Sequence, residues 1–224
     1  MNHALADSLT KFVGEGKSPP TIRFAEYWPS AVSVGYTQKI KEVIDLGECT
    51  KLGVDIARRS SPGGAVFLKK DMALSAIIIA PRELLNADVR KNYLELYDRI
   101  ISALSQLGIT ATFKRPNDLL VNGKKICGGT QNQTSKAVFV AGTILYDVDK
   151  ETMSKVLVLD SDINERVTSV KEHSEASKEE LLKALVSALA EGKETYFDKI
   201  SDEEMGFTKE LEKKYRSKEW VFMK

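Results

Sequence analysis

The chain alternates between two periodicities, and most of the expected elements follow from them. Ala4, Leu5, Leu9, Phe12 and Val13 recur at helical spacing and predict an opening amphipathic helix, which ends in the loop Gly14 to Pro20. Thr21 to Phe24 and Ala31 to Tyr36 are short β-prone runs parted by Trp28-Pro29-Ser30. Ile40 to Gly53 has helical spacing, and Val54 to Arg58 predicts a strand that leads into a glycine-bearing segment. Leu74 to Ile79 is almost wholly apolar, as expected of a strand covered on both faces.

The second half repeats the alternation. Asn86 to Leu107 carries the strongest helical pattern, and Gly108 stands where a helix C-terminus favours glycine. Ala111 to Lys114 and Asp118 to Val121 predict strands. Asn122-Gly123, flanked by Leu119-Leu120-Val121 and Lys124-Lys125-Ile126, is a hairpin turn signal. Ala137 to Tyr146 predicts a further strand, Lys178 to Ala190 a helix, and Lys209 to Lys224 a charged tail. Strands outnumber those of a regular βαβ alternation. The expectation is therefore an α+β fold, mixed or antiparallel sheets packed with helices, in one domain spanning 1–224 with a helical segment from about 175 to 224.

Composition narrows the function. With 42% hydrophobic residues the chain can build a sizeable core. Thirty-three basic residues against thirty-two acidic ones leave no basic excess for phosphate neutralisation, which argues against nucleic acid as a partner. Two cysteines, Cys49 and Cys127, and two histidines, His3 and His173, cannot form a disulfide framework or a four-ligand zinc site. No signal peptide or membrane-length apolar run is visible, so the expected location is cytoplasmic, away from membranes.

Three segments could carry chemistry. In Arg58 to Phe67, two arginines and the pair Gly63-Gly64 fit either an anion cradle or a surface turn. In Lys114-Arg115-Pro116-Asn117-Asp118, the adjacent carboxamide and carboxylate fit either a magnesium site or an Asx-type turn. In Gly123 to Thr130, strand alternation sends Lys124 and Lys125 to opposite faces, which fits either one inward lysine that could steady charge in a transition state or two exposed charges beside a turn.

In their order, the stretches Arg59 to Phe67, Arg115-Pro116-Asn117-Asp118-Leu119 and Gly123 to Gly129 resemble the lipoate–protein ligase family, of the biotin and lipoate ligase superfamily. Gly142-Thr143-Ile144-Leu145 and Glu165 to Val170 extend the resemblance to about residue 170. It implies an ATP-dependent lipoate–protein ligase, with Lys125 catalytic, touching both the acyl carboxylate and the α-phosphate. It further implies ATP and acyl-adenylate contacts at Arg59, Ser61, Gly63, Gly64, Ala65, Val66, Phe67, Asn117, Asp118, Gly128 and Thr168. Asn117 and Asp118 would hold Mg2+, and lipoate or octanoate would be the acid.

The acceptor would be a lysine of a lipoyl-domain or H-protein-type carrier. Because Tyr215 to Trp220 resembles the family's junction with an accessory domain, that domain is expected to be absent or supplied by a separate subunit. Pro62, Leu68-Lys69 and Ala141 depart from the family pattern, where glycine, His-Asp and histidine are common. Cys127 replaces a frequent serine and reads as a small buried residue. The alternative readings are an octanoyl or lipoyl transferase that needs no ATP, and a catalytically silent binder of lipoyl domains.

Overall fold

The computed structural model describes residues 1–86 and 88–223. Ala87, inside the expected helix, and Lys224, the last residue of the charged tail, lie outside the described residues. The elements run α1 (Asn2–Gly14), β1 (Thr21–Ala25), β2 (Ala31–Val34), α2 (Ile40–Val43), α3 (Leu46–Lys51), β3 (Asp55–Arg58), β4 (Val66–Leu68), β5 (Ala73–Pro81) and α4 (Val89–Gln106). They continue with β6 (Thr112–Lys114), β7 (Asp118–Val121), β8 (Lys124–Gln133), β9 (Ala137–Leu145), α5 (Lys150–Val156), α6 (Ile163–Arg166), α7 (Lys178–Ala190), α8 (Asp202–Arg216) and α9 (Lys218–Val221).

The fold is α+β, as the strand count implied. An antiparallel six-stranded sheet has the order β1-β5-β9-β8-β7-β6, and a small mixed sheet has the order β3-β2-β4. Leu96, Tyr97, Ile100 and Leu104 of α4 bury the apolar stripe of that helix against Leu74, Ala76, Val140 and Ile144 on one face of the large sheet. Packing is close enough that glycine is required beneath it: a Cβ at Gly129 would lie 2.3 Å from the Tyr97 hydroxyl oxygen. The other face is covered at one end by α1, through Leu5, Leu9 and Val13 against Ile77, Ile79 and Ala141. The small sheet and α5 cover it at the other end, where Val32, Phe67, Leu145 and Met153 share a core.

Two elements differ from the expected ones. The stretch Ile40 to Gly53 is broken into two helices because Ile44 is extended and bridges Leu157, while the Asp45 carboxylate accepts the Glu48 N–H at 2.9 Å and caps α3. The charged tail is ordered in α8, started by the capping box of Ser201 and Glu204 and packed on α1. Ser8 Oγ donates to the Glu204 carbonyl and Tyr215 Oη to Asp7, the latter at 2.5 Å, so buried polar contacts weld this segment to the first helix. The Asn122-Gly123 hairpin forms as expected, with φ of 49° and 80° at its two central residues.

Candidate active site

Sheet register builds the floor of a cavity of about 490 Å³. Ser75, Thr143, Gly128 and Asp118 are paired in one rung across β5, β9, β8 and β7. Arg23, Ile77, Ala141 and Thr130 form the next rung across β1, β5, β9 and β8. All eight residues line the cavity. Most of these side chains are small or absent, which is why the sheet surface is hollow here between α1 and the small sheet. The roof is His3 and Ala6 of α1, Ser33 of β2, and Gly64 to Val66 with Leu68.

At one end of the floor Lys125 Nζ lies 2.6 Å from Asp118 Oδ1. Regular alternation would not produce this. Leu119 pairs with Cys127 but Leu120 pairs with Lys125, so Ile126 is an extra residue, a β-bulge. Ile126 and Cys127 consequently both enter the α4 core, and Lys125 turns to the cavity. Gly128 leaves the space that the lysine occupies, since a Cβ there would sit 2.5 Å from Lys125 Cε. On the outer side the Thr168 N–H donates to the Lys125 carbonyl at 2.9 Å, anchoring this strand end. Lys125 is thus the inward lysine of the Lys124-Lys125 pair.

Asn117 lines the cavity, and its amide nitrogen is committed. Nδ2 donates to the Gly129 carbonyl at 2.5 Å, while the Asn117 carbonyl accepts from both the Gly129 N–H and the Tyr97 hydroxyl. Asp118 therefore offers the one carboxylate of this pair, and Lys125 already neutralises it. Among the described residues no three His, Cys, Asp or Glu side chains group as a metal site. The single carboxylate that would hold the expected Mg2+ is engaged by Lys125.

The two arginines do not converge on an anion either. Arg58 is fully buried and donates to the carbonyls of Gly35, Tyr36, Gln38 and Val221 at 2.8–3.1 Å. Arg59 donates to Ser33 O at 3.0 Å, Pro62 O at 3.1 Å and Gly64 O at 2.8 Å, and burial lowers its pKa to about 10. Guanidinium groups with several fixed donors serve here as ties between loops. Pro62 contributes no N–H to the turn, and its carbonyl accepts both from Arg59 and from Thr130 Oγ1.

The cavity gathers Arg59, Ser61, Gly64, Ala65, Val66, Asn117, Asp118, Lys125 and Gly128. It does not gather Gly63, Phe67 or Thr168. Gly63, at φ 111°, shapes the turn; Phe67 is core; the Thr168 hydroxyl faces Glu172 and His173. Sequence reading missed His3, Arg23, Tyr27 and the hydroxyl chain Tyr27–Ser75–Thr143, whose two contacts are both 2.6 Å. The available signal was Ser75, a polar residue within the apolar run of β5. His3 is partly buried and bonded to Ser33 Oγ at 3.0 Å; desolvation first, then the Arg59 charge, lowers its pKa to about 3.

Neither cysteine reaches the cavity. Cys127 faces α4, where its sulfur lies 3.2 Å from the position of a Cβ on Gly142, and burial pushes its thiol pKa well up. Cys49 is buried in the core under the small sheet.

Residues 1–190 match the family model described as the lipoyl protein ligase A/B catalytic domain. The chain belongs to this family. Similar proteins include the octanoyltransferase LipM of Geobacillus kaustophilus, 28% identical over 99% of this chain and 93% of its own length. LipM of Bacillus subtilis is 27% identical with the same coverages. Similar solved structures include a bi-partite lipoate protein ligase of Thermoplasma acidophilum, studied with its E2 lipoyl domain. Its TM-score is 0.88 at 24% identity, covering 99% of this chain and 90% of that one. A lipoate-protein ligase A bound with ATP has a TM-score of 0.89, 24% identity, and coverages of 98% and 92%. These two likenesses show the lipoyl-ligase fold alone.

The family and fold agree with the resemblance read from the motifs, but the ATP-dependent ligase reading is overturned. The curated relatives that this lipoyl-ligase-family chain matches over almost their full length include the octanoyltransferases LipM of four species. In the structure Arg58 and Arg59 tie backbone carbonyls of neighbouring loops, and Asp118 is paired with Lys125.

Among the described residues no helix is long and apolar enough to cross a membrane.

Proposed function

We propose that this family member transfers an octanoyl or lipoyl group from a carrier thioester to a lysine of a lipoyl domain, without ATP. The observation that carries the reading is the Lys125–Asp118 pair at one end of a floor of small residues. An acyl chain laid along that floor brings its carbonyl to the lysine. The similarity to octanoyltransferases over the full chain supports the acyl group and the direction of transfer.

The neutral amine of the acceptor lysine adds to the thioester carbonyl, and the Lys125 ammonium steadies the oxyanion that develops. Asp118 holds Lys125 in place through their ion pair. The C–S bond then breaks as the amide forms, and the proton leaving nitrogen ends on the departing thiolate. With Cys49 and Cys127 both outside the cavity, the acyl group passes directly between donor and acceptor. A transfer that bypasses adenylation has no step for a separate accessory polypeptide. The reducing cytoplasm suits a chain with two free thiols.

The test is to incubate the protein with an octanoylated acyl-carrier protein and a lipoyl-domain acceptor, in nucleotide-free buffer, and to follow acceptor mass. Octanoylated acceptor is the expected result. Modification seen only when ATP and the free acid are supplied would overturn the proposal.

A further inference from the structure

A second cavity, of about 690 Å³, lies behind the first. Its own walls include Trp28, Pro29, Ala31, Ile56, Ala57 and Val221. Asn2, His3, Tyr27, Ser33 and Leu68 line both cavities, so the partition between them is one residue thick.

The first cavity leads toward that partition. From the Gly128–Asp118 end its floor crosses β8, β9, β5 and β1, three inter-strand intervals or roughly 14 Å at the usual spacing. Tyr27, two residues beyond β1, stands at the far end and is tied to Ser75 at 2.6 Å. A chain whose carbonyl is at Lys125 points its terminal carbons at this wall.

Four of the five partition residues are held by hydrogen bonds. Asn2 donates to the Glu26 carbonyl at 2.7 Å and accepts from Arg23; His3 bonds Ser33; Tyr27 bonds Ser75. Leu68 is held by packing alone, within the core under the small sheet. It also departs from the family pattern, in the position that directly follows the glycine-bearing segment.

We infer that Leu68 ends the acyl channel and sets the longest chain accepted, and that the second cavity is a preformed continuation able to take the terminal carbons of longer acyl groups. The inference rests on the acyl-transfer reading of the first cavity. Ala31, Ile56, Ala57, Leu68 and Val221 give the second cavity an apolar wall that suits methylene groups, beside the charged Glu26, Asp55, Lys70 and Arg216, and its volume would hold several.

Binding tests this separately from transfer. Dissociation constants for octanoate and tetradecanoate are measured by calorimetry on the wild-type chain, Leu68→Val, Leu68→Ala, and Leu68→Ala with Ala57→Phe. Ala57 lines the second cavity and not the first, so Phe there fills the continuation only. The wild-type chain is expected to favour octanoate. Leu68→Ala should tighten tetradecanoate at least tenfold relative to octanoate, Leu68→Val should do so in part, and Ala57→Phe should cancel the gain.

Leu68→Val keeps the test open should the alanine variant fail to fold. Octanoate binding with an unchanged chain-length profile in a folded Leu68 variant overturns this inference and leaves the transfer reading standing. A wild-type chain that binds neither acid also overturns this inference, while the transfer reading is decided by the acceptor-mass assay with the acyl-carrier donor.

Discussion

Lys125 Nζ and Asp118 Oδ1 meet at 2.6 Å across neighbouring strands because one extra residue, Ile126, bulges β8. The bulge keeps Ile126 and Cys127 in the core while the lysine turns to the cavity. The pair is partly exposed to solvent, so it adds little to the stability of the fold, and in the proposed transfer it positions charge at the acyl carbonyl.

Lys125→Met should lower the transfer rate by about two to three orders of magnitude, the usual cost of losing one oxyanion donor. The unfolding midpoint should stay close to that of the parent chain. A folded Lys125→Met protein with undiminished turnover would remove the lysine from the mechanism.

Gly128→Ala asks whether the position of the lysine matters as well as its charge. The new methyl would occupy the space of Lys125 Cε and Nζ, which must swing away since they are the far end of a flexible side chain. Transfer should fall at least tenfold, with stability changed by under about 1 kcal/mol. Turnover equal to the parent's would show that the lysine works from elsewhere.

Arg59→Lys should act on stability first. One ammonium cannot replace guanidinium bonds to Ser33, Pro62 and Gly64, and at least one buried carbonyl loses its partner. The expected loss is about 2–3 kcal/mol in denaturant unfolding. An unchanged midpoint would mean that the arginine is not the tie described.

His3 makes stability depend on pH. Its folded pKa, about 3, lies below the unfolded value near 6.5, so the unfolded chain binds the proton first. The contribution is complete above pH 6.5 and is lost progressively as pH falls toward 3. Between pH 7 and pH 5 it should cost about 2 kcal/mol. A His3→Asn variant should show a correspondingly shallower acid limb; parallel curves for the two proteins would contradict the burial of a neutral imidazole.

Replacing Cys49 and Cys127 by alanine should leave transfer within a few-fold of the parent, because both thiols are buried outside the cavity. Mass spectrometry of the parent chain with octanoyl donor should show no acyl adduct. An adduct on either cysteine, with loss of transfer in its variant, would establish a covalent route instead.

Much of the architecture was legible from local signals. Period and turn chemistry placed the opening helix, the long helix ending at Gly108, the Asn122-Gly123 hairpin and the buried strand of three isoleucines. Local patterning also marked the three segments that meet at the cavity, since glycine and proline punctuate the turns where side chains are brought together. It could not show that Ile44 breaks a helix, because its pairing partner, Leu157, is more than a hundred residues away in the chain. Nor could it show α8 welded to α1 through Asp7 and Tyr215.

The chemistry divides along the same line. Sequence order alone marked the family, the lysine and the neighbouring aspartate, since motif and spacing are properties of the chain. Only the tertiary structure decided what the charges do. Arg58 and Arg59 read as anion ligands in the sequence, but in the fold Nε and Nη1 of Arg58 and both terminal nitrogens of Arg59 reach carbonyls of remote turns, from Ser33 to Val221. The hollow itself arises from register, which pairs Ser75, Thr143, Gly128 and Asp118 from four separate strands in one rung. Residues so distant along the chain share a surface only after folding, so the size and direction of that cavity are tertiary facts.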